Sequence, residues 1–318
     1  YWAGFAFGAV FALVGWLTYF LTEKKFFGPI GLYPGDPIAP DKRRAFVVRL
    51  VSIVVVVIAV VAVLFIAGVI TINSFSNAVS TAAIFIPIVY LAYIIKSRKT
   101  TPAESGHVIA ILPLFVCNAV AMWVWTQTMT IISIYSETSV NRNLFGFEIT
   151  PAAFQTWGSF LAVAFGTLFV TLWTKLGSHQ PSNAAKMGFS TIMYAAGPLL
   201  MILPFVLYPA GVKVSPLWIL VFWVLIMIGE ASGGPAGYAA ASDVAPKAFA
   251  TQMMTVWALS QSTGSALNSL SINFYHKGGE APYFLFVGGL TLVIGVVVLI
   301  FSKKLTRAMG VGDTLNGD

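Results

Sequence analysis

One acid inside an apolar run is the residue best placed to do chemistry. Residues 217–242 read LWILVFWVLIMIGEASGGPAGYAAAS. The first half is bulky and apolar, the second small and flexible, and Glu230 marks the change. About 20 apolar residues cross a bilayer at 1.5 Å each, so the run is of spanning length with Glu230 near its middle. A charged side chain there costs roughly 2.5–3.5 kcal/mol on insertion scales. A chain accepts that cost when the group faces a partner or a wet cavity. Two readings follow: a substrate or proton site, or a structural carboxyl satisfied by a neighbouring helix. Gly233, Gly234, Pro235 and Gly237, just beyond it, make a stretch that can bend.

Polar side chains recur inside two other apolar runs. One, at about 108–135, carries Asn118, Thr126 and Gln127 among tryptophans. The other, at about 248–274, carries Gln252, Trp257, Ser260, Gln261 and Asn268. Trp257, Gln261 and Asn268 share a helix face through i+4 and i+7 spacing. Helix–helix hydrogen bonding, with close packing at Gly264 and Ala266, accounts for such decoration. A polar-lined pathway accounts for it as well, and beside Glu230 it is the better account. An aromatic such as Trp257 near a carboxylate suits a ligand with a cationic amine and an apolar side chain.

Enzyme signatures are missing. His107, His179 and His276 are far apart and near loops. No His pair at i, i+4 flanks a Glu, and no G-x-S-x-G or P-loop string occurs. No enzyme activity, metal or cofactor is expected. Cys117 is the single cysteine, lies in an apolar run, and reads as an inert packed thiol.

The elements that must position these residues are membrane helices. Of 318 residues, 58% are hydrophobic and 9% charged, against about 25% charged in a soluble domain. Nine spans are expected, at about 2–21, 48–70, 78–95, 108–135, 152–173, 187–208, 217–242, 248–274 and 282–301. A connector rich in Pro and Gly, residues 28–40, follows the first. If spans alternate in direction, fifteen of the 18 Lys and Arg fall on one side, leaving Arg142, Lys213 and Lys277 on the other. The positive-inside bias makes the richer side cytoplasmic and puts the C-terminus there. The net charge of +7 is thus a topology signal rather than a sign of nucleic-acid binding. Tyr1 to Phe5 already lie at the edge of a span, and the chain reads as a piece of something longer.

Several strings together resemble the proton-dependent oligopeptide transporters, a branch of the major facilitator superfamily. They are Gly229-Glu230 with Pro235-x-Gly237; Ala245-Pro246-Lys247-Ala248-Phe249; Gln252-Met253-Met254-x-x-Trp257; and Gly264-Ser265-Ala266-Leu267-Asn268. Phe145 to Ile149, Trp173 and Gln180-Pro181-Ser182 add to these, in the family's order and spacing over nearly the whole chain. The resemblance implies an all-α membrane protein: the C-terminal six-helix bundle of a major facilitator fold (107–302), one preceding helix (1–21), a linker with two extra transmembrane helices (22–106), and a cytoplasmic tail (303–318). It implies that five earlier helices, with the E-x-x-E-R proton-coupling motif, belong to a missing N-terminal bundle.

The family's helix-ten acid matches Glu230, implying contact with a peptide's amino terminus and a part in proton coupling. The helix-eleven pocket tryptophan matches Trp257, and Gln261 replaces a serine four residues on. With Gln127, Thr126 and Asn118 these form the expected substrate-binding set, and Gly233, Gly234, Pro235 and Gly237 the expected hinge. Two departures stand out. Thr126 occupies the place of the helix-seven acid, and Gly158 that of a helix-eight asparagine that helps bind the amine. The implied activity is proton-coupled uptake of di- and tripeptides across the cell membrane, with peptide, protons and lipid as partners. Another facilitator carrier (for sugars, drugs or nitrate) and a non-transporting truncated remnant stand as alternatives.

Overall fold

The computed structural model describes residues 2–26, 28, 38–144, 146–209 and 211–311. Most of the Pro- and Gly-rich connector and the last residues of the tail lie outside them. The chain divides into two compact units, Tyr1–Thr71 and Ile72–Asp318.

The first unit holds α1 (Trp2–Phe26) and α2 (Pro40–Ile66). No described side chain of either is buried. In water, a run such as VVVVIAVVAV that is apolar on every face would need covering. In lipid it needs none, and the helix satisfies every backbone group internally. Pro40 opens α2 at a position where a missing N–H costs nothing.

The second unit is a bundle of α3 (Ile72–Lys96), α4 (Pro102–Gln127), α5 (Ile131–Thr138), α6 (Pro151–Leu176), α7 (Asn183–Leu200), α8 (Leu203–Leu207), α9 (Leu217–Asp243), α10 (Ala250–Ser271) and α11 (Glu280–Ala308). A two-residue hairpin, Asn143–Leu144 with Phe147–Glu148, turns at Gly146 with φ +86°. Arg142 closes on Glu148 beside it at 2.9 Å. Among the described residues, eight helices or helix pairs are long and apolar enough to cross a membrane. The expected all-α membrane architecture is therefore present. The span expected at 248–274 is α10, a helix of 22 residues too polar to be among those eight.

The expected span at 108–135 is α4 and α5 with a turn between them. The sequence gives the reason. Thr126, Thr128 and Thr130 turn their hydroxyls back onto Met122, Trp125 and Thr126 carbonyls, a competition with the helix ladder that bends it. At its other end, α4 begins in a capping box of Thr101 and Glu104. The second Glu104 oxygen accepts from the Lys247 backbone N–H at 3.0 Å, tying this end to the start of α10.

Lipid removes the hydrophobic drive between helices, so close approach and hydrogen bonds must hold the bundle. Both are present. On α7 and α11, Gly188 faces the Leu299 backbone and Gly295 faces the Ile192 nitrogen, each too near for a side chain. Between α4, with the turn that follows it, and α10 there is a ladder of polar pairs. Asn118 Nδ2 donates to Ser260 Oγ at 2.6 Å, Thr126 pairs with Ser265 at 3.3 Å, Asn268 donates to Thr130 at 3.2 Å, and the Trp123 indole donates to Ser271 at 2.8 Å. On the far side of α10, Thr263 donates to the Ala83 carbonyl of α3 at 3.1 Å.

Gly264 is where the α4–α10 ladder closes most tightly. A Cβ there would lie 2.4 Å from the Ala119 carbonyl oxygen and 2.7 Å from the Trp123 nitrogen, both backbone. Gly264→Val should therefore destabilise the bundle by at least the roughly 1–3 kcal/mol typical of overpacking. Thermal denaturation in detergent reads this as a lowered Tm, with Ser265→Ala as the mild comparison.

Candidate functional site

The buried apolar residues form two clusters, and a polar layer lies between them. On α9 the first cluster takes Ile219 to Met227 and the second Ala240 and Ala241, with Glu230 between. The same division falls at Asn118 on α4, at Ser190 and Thr191 on α7, and at Ser260 on α10. Four helices thus place their polar side chains at one depth.

The layer is largely self-satisfied. Asn118 and Ser260 pair as described, and Ser260 donates to the Trp257 carbonyl at 2.5 Å. Ser190 of α7 donates to the Gly229 carbonyl at 2.7 Å, and Ser232 donates to the same oxygen at 3.0 Å. Glu230 is half-buried and accepts at Oε2 from the hydroxyl of Tyr194, itself fully buried on α7.

Along α9, Glu230, Gly234 and Tyr238 are four residues apart and form one open strip. A methyl on Gly234 would lie 3.4 Å from Glu230 Oε1 and within 4 Å of nothing beyond that carboxyl. Tyr238 is exposed and accepts a hydrogen bond from Gln261 Nε2 of α10 at 3.2 Å. Its ring meets Trp257 edge-on, with centroids 6.4 Å apart. Trp257 is fully buried, and its indole N–H has no hydrogen-bonding partner among the described residues.

The expected site residues therefore divide. Glu230, Gln261 and Trp257 gather around the α9 strip. Thr126 is half-buried beside the exposed Ser265. Asn118 is occupied by Ser260. Gln127 is fully buried, with neither amide atom partnered among the described residues. The stretch expected to bend is unbroken helix, running through Pro235 to Asp243. Its glycines also have a packing reason: a Cβ would meet Ser190 at 2.3 Å from Gly233, and Trp257 at 2.3 Å from Gly237. Gly158, in the place of the family's asparagine, lies under the Trp223 ring.

Tyr194 and Tyr238 are the two site residues that the sequence reading missed. Tyr238 was within reach, being two turns from Glu230 on the same helix. Tyr194 lies on another helix, and in an apolar run a tyrosine reads as packing. A cavity of about 300 Å³ lies elsewhere, lined by Gln180, Lys186, Asp243 and Met309 among others. The strip at Glu230 is an open face, not an enclosed pocket.

Residues 1–284 match the PTR2 model, described as the POT family. The chain belongs to the POT family. Among POT relatives, the di-/tripeptide transporter of Lactococcus lactis subsp. cremoris is 29% identical over 316 residues, spanning 98% of this chain and 63% of the relative. The uncharacterized transporter YclF of Bacillus subtilis (strain 168) is 31% identical over 310 residues, spanning 97% of this chain and 62% of the relative. A crystal structure of a POT peptide transporter in complex with sulfate superposes with a TM-score of 0.85 at 30% identity, covering 96% of this chain and 62% of that one. Another POT transporter, solved with a thioalcohol conjugated peptide, gives 0.83 at 29% identity, covering 96% of this chain and 63% of that one. The chain thus spans slightly under two thirds of the length of these relatives. It is a multi-pass membrane protein of a family of carriers.

Gly237 tests how the strip is held. Gly237→Ala should push the Trp257 ring away and lower the Tm, at a cost of roughly 1–3 kcal/mol. Gly234→Ala, which meets only the Glu230 carboxyl at an ordinary van der Waals distance of 3.4 Å, should leave the Tm within error of the parent in the same detergent melt.

Proposed function

We propose that this chain supplies the C-terminal half of a carrier that takes di- and tripeptides into the cell together with protons. The single observation that carries this reading is a half-buried carboxylate at mid-depth, facing an open strip shared by Tyr238 and Gln261, with the buried Trp257 packed behind Tyr238. The peptide's ammonium would pair with Glu230. Its first side chain would lie along the exposed ring of Tyr238, which the buried Trp257 supports edge-on and which the ammonium also favours. Thr126 would line the wall on α4, with Gln127 buried behind it and Asn118 supporting it through Ser260.

Alternating access follows from the same layout. The strip is open, so a second bundle facing it would complete a cleft near the midplane, and rocking of the two bundles would expose that cleft to each side in turn. Gly233, Gly234, Pro235 and Gly237 would let α9 flex during the motion. Pro235 leaves one backbone carbonyl without its usual partner, a local weak point in the helix. Proton coupling would rest on Glu230 and on the N-terminal bundle, because Thr126 cannot titrate. The side with fifteen of the 18 basic residues would be cytoplasmic, along with the C-terminus.

Glu230→Gln keeps shape and hydrogen bonding but removes the charge. In proteoliposomes of the full-length protein, it should reduce labelled dipeptide uptake to background at unchanged membrane abundance, with and without an imposed pH gradient. Wild-type uptake should be inhibited by unlabelled dipeptides and not by sugars, drugs or nitrate. Undiminished uptake by the variant would remove Glu230 from the site, and indifference to dipeptides would favour a different cargo.

A further inference from the structure

Tyr194 has no place in the layer except at Glu230. It comes from α7, is fully buried, and directs its hydroxyl at one oxygen of the carboxylate, Oε2. The other oxygen, Oε1, has no hydrogen-bonding partner among the described residues and lies beside Gly234, where a Cβ would have only that carboxyl within 4 Å. The two oxygens are therefore unequal. One is held by a rigid aromatic donor whose ring packs against Gly229, 2.9 Å from where a Cβ there would be. The other faces the open strip. The placement of α7 against α9 is itself fixed by Ser190, which donates to the Gly229 carbonyl at 2.7 Å and fills the space above Gly233.

We infer that Tyr194 is a positioning residue for the amine site: it holds Glu230 by Oε2 so that Oε1 alone, in the gap left by Gly234, receives the ammonium of a substrate. This rests on the reading of Glu230 as the amine-binding acid. A carboxylate on a two-carbon stem otherwise sweeps several rotamers, and freezing it only on binding costs affinity; preorganisation removes that cost. The arrangement also makes the site selective. One exposed oxygen satisfies one ammonium N–H in a fixed direction, and a neutral acylated amine offers too little charge to use it.

The test compares alanyl-alanine with N-acetyl-alanyl-alanine, each as a competitor of labelled dipeptide uptake by the full-length protein in proteoliposomes. Tyr194→Phe keeps the ring and removes the donor. It should raise the inhibitory concentration of alanyl-alanine about tenfold, the scale of one charge-assisted hydrogen bond, while that of the acetylated peptide moves less than twofold. Gly234→Ala should shift the same ratio in the same direction by filling the gap beside Oε1 that the ammonium would enter, without touching the Tyr194 contact. A purely structural role for Tyr194 would weaken both competitors equally. That result, or no change in either, overturns the inference. If Tyr194→Phe fails to accumulate in the membrane, the Gly234→Ala ratio decides alone, and an unchanged ratio there overturns it. These outcomes are separable from failure of the parent reading: should Glu230→Gln transport normally, the acid is not the amine site at all. Loss of uptake in Glu230→Gln with an unmoved ratio in both other variants defeats only the role given to Tyr194.

Discussion

A carboxyl at bilayer depth has to be answered by something. In the second unit that demand falls on Glu230, set between two apolar clusters that could not themselves satisfy it. The answer comes from α7, through a tyrosine hydroxyl, and it fixes which helices must touch. Ser190 joins α7 to α9 one turn away, and Gly229 and Gly233 make room for Ser190 and Tyr194. Gly188 and Gly295 then bring α11 against the opposite face of α7. Much of the bundle's arrangement can be read outward from the cost of one charged group.

A second set of contacts solves a different problem. With lipid outside, α4 and α10 gain little from burying apolar surface on each other. They are joined by Asn118–Ser260, Thr126–Ser265, Thr130–Asn268 and Trp123–Ser271 instead. Interhelical hydrogen bonds in membranes average about 0.6 kcal/mol each, so the ladder specifies register more than it supplies strength. Gly264 sets the distance at which that register can be read.

The membrane class, the helix positions and Glu230 were legible in the sequence because each depends on local composition. An acid among bulky apolar residues has few explanations. The polar residues of α4 and α10 were equally visible, but two uses were open to them, a cleft lining or contact between helices. Only the facing helix decides that, and it assigns Asn118, Ser260 and Asn268 to contacts. The small residues of α9 showed their size and not their neighbours: Gly233 and Gly237 each have a side chain from another helix against them, and the helix runs on unbroken. The bend after Gln127 depended on three threonines choosing carbonyls of their own chain. Tyr194 was illegible for the plainest reason, since nothing in a single strand of sequence says which distant helix will stand beside it.

The polarity of α10 has a consequence for how the protein is made. A segment this poor in apolar residues partitions weakly into lipid when it emerges alone. Its partners, α3 and α4, precede it in the chain and are already in the bilayer when it is synthesised. Their carbonyls and hydroxyls offer it a ready surface, so α10 is a helix recruited by protein and not by lipid. The order of the elements along the chain is then part of what makes the segment insertable.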